Sequence, residues 1–264
     1  MSFRLVALSG LLPVLLLSAC GECRQPPWKA AQPKAPPTAE TRYLAAPAVA
    51  EAVTADGGVR LSGQAAPGAK VMLGTPTGET LSAVADGEGR WTVVAPAPRA
   101  VVLYGLFMLD GPRKVNAEGY LLLTPDGRAA ELRSGGGARV LAAGSRPPRI
   151  LAIDFDRDGG AVVSGIGTPR ADLGLRVDRN AGGTAMVSEE GRFSIVLMRP
   201  LPPGEHAFEV SGEGGEDSVT VATRRADPLG EAVFRATPAG GGWRIDWRTP
   251  GGGVQTTLLT ARRG

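Results

Sequence analysis

From residue 47 to residue 261 the chain is written in short runs in which apolar and polar side chains alternate. "VRLSGQA" (59–65), "AKVMLG" (69–74), "LSAVAD" (81–86) and "RWTVVAP" (90–96) are followed by "AVVLYGLFML" (100–109). Later come "AVVSGIG" (161–167), "LGLRVD" (173–178), "TAMVSE" (184–189) and "EHAFEVSG" (205–212). A period of two puts alternate side chains on opposite faces of a strand. Beyond the first twenty residues no long run keeps the 3.6-residue apolar period of a helix. Turns rich in Gly and Pro separate the runs, so the pattern predicts an all-β fold of short strands, a sandwich or small barrel.

The pattern is also duplicated. Asp56-Gly57-Gly58 returns as Asp158-Gly159-Gly160, Ser62-Gly63 as Ser164-Gly165 and Pro67 as Pro169. Glu88-Gly89-Arg90-Trp91 returns as Glu190-Gly191-Arg192-Phe193. One offset, from 56 to 158, aligns all of these without a gap, and 13 of the 40 positions in 56–95 match those in 158–197. A related tail follows each copy, with gaps: "EGYLLLTPDGRAAELRSGGGARVLAA" (118–143) and "EAVFRATPAGGGWRIDWRTPGGGVQTTLLTA" (231–261). Both read as strand, Thr-Pro turn, strand, glycine run, strand. A repeat of this length, used twice, is a structural unit.

Local chemistry supports the reading. Gly89 and Gly191 can take positive φ in a turn without steric cost. Trp91 and Phe193 then open a strand and can fill the space between two sheets. The wording "SGQAAPGAKVML…AVADGEGRWTV" resembles bacterial immunoglobulin-like repeats over about 47–110 and, more loosely, 149–212, where "TPRADL" replaces "APGAKV". The resemblance implies two tandem immunoglobulin-like β-sandwich domains, residues 47–146 and 147–264. It is specific for fold and poor for function, because such sandwiches host many roles.

The leading segment is of another kind. One basic residue, Arg4, precedes an apolar run from Leu5 to Ala19 that is too short to span a bilayer as a helix. Its layout is that of a secretory signal peptide, residues 1–19. Leu17-Ser18-Ala19-Cys20 resembles a bacterial lipobox. That resemblance implies cleavage before Cys20 and acylation of its thiol, with palmitate or a similar chain anchoring the protein. Gly21, rather than Asp, follows the acylated position, which favours the outer membrane. Cys23 then has no partner for an intramolecular disulfide, since the chain has two cysteines. Residues 20–46 are rich in Pro and Ala and read as a tether, able to reach roughly 80 Å if extended at about 3.1 Å per residue. Trp28 within it reads as incidental or interfacial.

Composition narrows the function classes. A net charge of +3 with scattered arginines leaves no nucleic-acid footprint. Catalysis finds little to work with: the one histidine, His206, is expected at an exposed or edge position, and no G-x-S-x-G, S-x-x-K or H-E-x-x-H occurs. "DFDRDGG" offers Asp154, Asp156 and Asp158 in the opening pattern of a calcium loop, but Gly165 stands where the closing Glu belongs. A hairpin turn with solvated acids explains it more simply, and neither metal nor cofactor is expected. "WRIDW" places Trp243, Ile245 and Trp247 on one strand face and Arg244, Asp246 and Arg248 on the other. The tryptophans could stack on a sugar, or pack on a core while the charged face meets water. The last strand, 254–261, could pair with the sheet edge of a neighbour or be sealed in its own sheet.

The expectation is a non-catalytic outer-membrane lipoprotein, periplasmic or surface-facing. It would act as a scaffold or interaction module for an unidentified envelope protein, or alternatively as a module for cell-wall or surface glycan.

Overall fold

A computed structural model describes residues 43–141 and 147–261, and every regular element among them is a strand. The first repeat supplies β1 (Ala48–Ala55), β2 (Gly58–Gln64), β3 (Lys70–Gly74), β4 (Thr80–Val84), β5 (Arg90–Pro96), β6 (Val102–Asp110) and β7 (Arg113–Leu123). They form a sheet β1-β2-β5 and a second, β4-β3-β6-β7, paired antiparallel throughout. The second repeat supplies β10 (Arg149–Asp156), β11 (Ala161–Ile166), β12 (Asp172–Val177), β13 (Asn180–Met186), β14 (Arg192–Val196), β15 (Gly204–Gly212) and β16 (Gly215–Thr223), with β8 (Ala129–Arg133) and β9 (Arg139–Val140) lying between the two sets. Their pairing is the same: β10-β11-β14 in a third sheet and β13-β12-β15-β16 in a fourth. The ungapped duplication in sequence is thus a duplication of seven strands and their connections.

Shared residues have shared reasons. Trp91 and Phe193 are both buried between their sheets. Gly63 and Gly165 lie under those rings: a Cβ on either would come within 2.8 Å of the aromatic and about 2 Å of a carbonyl oxygen, Ala48 O or Arg149 O. Each glycine also faces the strand that bulges beside it, between Val49 and Glu51 or between Ile150 and Ala152. The repeated Ser-Gly is therefore a packing requirement. Gly89 and Gly191 do adopt positive φ, 80° and 72°.

The two tails, alike in sequence, attach to different sheets. In the first copy β7 runs on through β8 (Ala129–Arg133) and β9 (Arg139–Val140), widening the second sheet to β4-β3-β6-β7-β8-β9. In the second copy the chain leaves β16, crosses over and makes β17 (Phe234–Ala239), β18 (Gly242–Arg248) and β19 (Val254–Leu259). These widen the third sheet to β14-β11-β10-β19-β18-β17. The last strand is consequently central, between β10 and β19's other partner β18, and presents no free edge.

Three apolar cores result. One lies between the first and second sheets and holds Leu61, Trp91, Leu73, Tyr104, Leu121 and Leu123. Another lies between the third and fourth and holds Ile153, Phe193, Leu175, Phe208 and Leu258. The third joins the second sheet to the third, with Leu103, Leu122 and Leu132 from one repeat against Ala152, Ile245, Trp247 and Leu259 from the other. From Leu44 onward the chain is accordingly one compact unit. Burial of this kind contributes about 25 cal/mol per Å² of apolar surface, so the seam is a core in its own right.

Candidate functional site

The seam between the repeats gathers most of the residues singled out from sequence, and it uses them structurally. Trp247 has no exposed surface; its indole N–H donates to Thr257 Oγ1 at 3.0 Å. Trp243 is half-buried, its indole N–H donating across the seam to Asp126 Oδ1 at 3.2 Å. The pair offers no two-ring platform, because Trp247 is covered by the opposing repeat and cannot stack on a sugar.

The opposite face of β18 does not meet water. Arg244 and Asp246 are buried there, joined by an Arg244 Nη2–Asp246 Oδ1 contact of 2.8 Å. Thr256 Oγ1 donates to Asp246 at 2.7 Å, Arg244 donates to Arg224 O at 2.9 Å, and its guanidinium lies 5.6 Å from the centre of the Phe155 ring. Alternation predicted the face correctly, but not the crossover chain from Arg224 that covers it. Arg244 Nε and Nη1 find no acceptor, so this pair carries a desolvation cost that its Coulomb attraction does not clearly repay.

Asp154, Asp156 and Asp158 do not converge. Asp154 is fully buried and accepts from Ala138 N at 2.6 Å, Thr257 Oγ1 at 2.5 Å and Gln255 Nε2 at 3.2 Å. Burial pushes its pKa up to about 6, against the pull of those hydrogen bonds. Asp156 instead closes its own turn, accepting from the amides of Asp158 and Gly160 at 2.8 and 2.9 Å. Among the described residues no group of three or more His, Cys, Asp or Glu side chains could hold a metal ion.

Sequence reading missed what Asp154 holds. The glycine run 135–137 is more than a turn, for it docks on the second repeat. Gly135 N donates to Gln255 Oε1, Gln255 Nε2 to Arg133 O and Ser164 Oγ to Ala138 O. Gly137, at φ 74°, sits so close that a Cβ would lie 2.8 Å from Val162 Cγ1. Three glycines in a row, where a two-residue turn needs fewer, were the available signal.

His206 is neither exposed nor on an edge. It is 7% exposed, within β15, which pairs with β12 on one side and β16 on the other. Its Nδ1 lies 2.7 Å from Asp178 Oδ2 and its Nε2 2.8 Å from Pro202 O. Asp178 is held below the usual carboxylate range by that bond first and by the Ala207 amide second. Both ring nitrogens serve the fold, and neither partner is a hydroxyl or thiol that could act as nucleophile. The described residues form an all-β, sandwich-like unit of antiparallel sheets.

Cys20, Cys23, Trp28, the signal segment and the tether up to residue 42 lie outside the described residues.

No protein-family model and no curated protein matches the chain. Several solved structures overlap it, three of which follow. A biofilm-associated protein BSP domain does so over 70% of this chain and 30% of its own, at 18% identity and a TM-score of 0.23. A tetra-tandem repeat from the extending region of a large adhesion protein gives 81% and 57%, 14% identity and 0.24. A central fibronectin-III array of RIM-binding protein gives 83% and 94%, 11% identity and 0.25. The chain spans about a third of the first of these and somewhat over half of the second. Likeness at this level carries no inference about role.

Proposed function

We propose that the chain is a non-catalytic envelope lipoprotein of the bacterial outer membrane, anchored through an acylated Cys20. Residues 20–46 form its tether, and residues 47–146 and 147–264 form two immunoglobulin-like domains. Its role is that of a scaffold, holding a stiff β-sheet body at a distance from the membrane for an envelope partner to dock on. The observation that carries this reading is the third core. Two repeats joined only by a linker would swing independently, whereas repeats that share Leu122, Trp247 and Leu259 in one apolar layer move as a block. Lipid attachment rests on the lipobox-like Leu17-Ser18-Ala19-Cys20.

The decisive experiment is mass spectrometry of the mature amino terminus, with fractionation of Cys20→Ala beside the natural chain. An acylated Cys20 in the outer-membrane fraction, and release of the variant into the soluble fraction, are expected. An unacylated terminus, or a variant that stays with the membrane, overturns the anchor.

A further inference from the structure

We propose that the seam between the repeats carries a binding pocket for a phosphate oxyanion, held by Arg133, Arg139 and Arg192. These three arginines, from both repeats, line a cavity of about 220 Å³, together with Ser164, Ser188 and Ser194. All three are half-buried. Arg192 donates through Nη1 to Val140 O at 2.8 Å, which turns its guanidinium towards the first repeat. Arg133 donates to the carbonyls of Gly136 and Gly137 in the docked glycine run. Arg139 pairs with Glu131 at 2.9 Å and donates to Val49 O.

The duplication supplies an internal control. In the first repeat the equivalent of Arg192 is Arg90, whose guanidinium is gripped by Asp86 at 3.0 Å and by Glu88. Asp86 corresponds to Ser188, so the second repeat has lost that carboxylate and put a neutral hydroxyl in its place. Where Arg90 stands in solvent with two acids, Arg192 stands half-buried beside two further arginines. Of the nearby acids, Glu131 is committed to Arg139 and to Val49 N, Glu190 is exposed and bonded to Ser188, and the buried Asp154, which acts on Arg133, is committed to Ala138 N, Thr257 and Gln255. Burial, and then the charge of Arg139, lower the pKa of Arg192; Arg133 adds to this, and Glu131 and Glu190 oppose it. Three guanidinium groups thus share one partly sheltered space, and each acid near them is already engaged in bonds of its own.

A phosphate oxyanion suits three guanidinium groups that line one space. Guanidinium forks match phosphate oxygens two at a time, and charge-assisted bonds of this kind are about twice as strong as neutral ones. The shared chemistry is a phosphate group, either free in the medium or borne as an ester on a lipid or polymer.

The test is thermal melting of the full chain titrated with sodium phosphate, and separately with glycerol 3-phosphate, at ionic strength matched by chloride. A saturable rise in Tm with phosphate, and none with chloride, is expected. Ser188→Asp rebuilds the first repeat's carboxylate inside the pocket; it should melt normally in chloride and bind phosphate roughly tenfold more weakly or worse. Arg192→Lys keeps the charge but loses the fork, and should weaken binding similarly should Ser188→Asp fold poorly. Arg90→Gln, outside the pocket, should leave the response intact. A stronger response to glycerol 3-phosphate assigns the pocket to ester-borne phosphate, and a stronger response to inorganic phosphate assigns it to the free anion. Indistinguishable curves in phosphate and chloride, or a full response in both pocket variants, overturn the proposal.

Discussion

The ring of Trp247 meets that of Tyr120 edge-on across the seam, with centroids 5.8 Å apart and planes at 85°. One ring comes from the tail of the second repeat and the other from β7 of the first, so a single aromatic contact bridges two copies of the same unit. Edge-to-face pairs are worth about 0.5–1.5 kcal/mol beyond the area they bury.

Truncating Trp247 should therefore separate the repeats energetically. Trp247→Ala removes the largest side chain of the shared core and should cost about 3–5 kcal/mol. Scanning calorimetry should show one transition for the natural chain and two for the variant, as the sandwiches unfold on their own. A variant that melts in one transition at the natural temperature would show that the seam does not couple them.

Trp91 sits within the first sandwich, 2% exposed, and its indole N–H has no acceptor. Trp91→Ala should again cost about 3–5 kcal/mol by leaving a cavity. Trp91→Phe copies Phe193 of the second repeat and removes the unpaired donor, so it should cost no more than about 1–1.5 kcal/mol. Urea denaturation of the two variants checks the ordering. Equal losses would mean that the indole is bonded in solution.

The duplication was legible because the residues that set it, Gly63 under Trp91 and Gly165 under Phe193, answer to a steric demand within one sandwich. The seam was legible only in part. Leu121, Leu122 and Leu123 are consecutive and all buried, the outer two in the first sandwich's core and the middle one in the seam. An unbroken apolar run in one strand means that both faces are covered. What alternation cannot say is what does the covering. Hence the charged face of "WRIDW" was assigned to water, although the chain from Arg224 lies over it. His206 was misplaced for a similar reason: its partners Asp178 and Pro202 come from loops, and strand periodicity carries no information about them.

Asp154 gives the fold a titratable dependence on the seam. Its folded pKa, about 6, lies above the ordinary 3.8, so between those values the folded chain holds a proton that the unfolded chain has lost. The contribution is complete below about pH 4 and disappears as pH rises through 6. About 1.4 kcal/mol per unit makes this of the order of 3 kcal/mol. Asp154→Asn cannot titrate. Chemical unfolding at pH 4 and pH 7 should show the natural chain gaining stability on acidification relative to the variant. A difference between the two proteins that does not change with pH would place the carboxyl's pKa in the ordinary range.

Arg170 holds φ at 65°, in the turn where the first repeat has Gly68 at 72°. The second repeat has kept the turn and lost the residue suited to it. A left-handed conformation costs a residue with a Cβ about 1–2 kcal/mol, while glycine's greater freedom in the unfolded chain returns about 0.4–1 kcal/mol of that. The side chain offsets little: its 2.7 Å contact with Glu189 joins two groups that are both three-quarters exposed. Arg170→Gly should raise stability by roughly 0.5–1 kcal/mol. The reverse exchange, Gly68→Arg, should lower it by a similar amount, since a Cβ at Gly68 meets no atom within 4 Å and only the backbone resists. Shifts of opposite sign in the urea midpoint are the expected result. If both exchanges proved neutral, the two turns would not share the left-handed geometry that makes them equivalent.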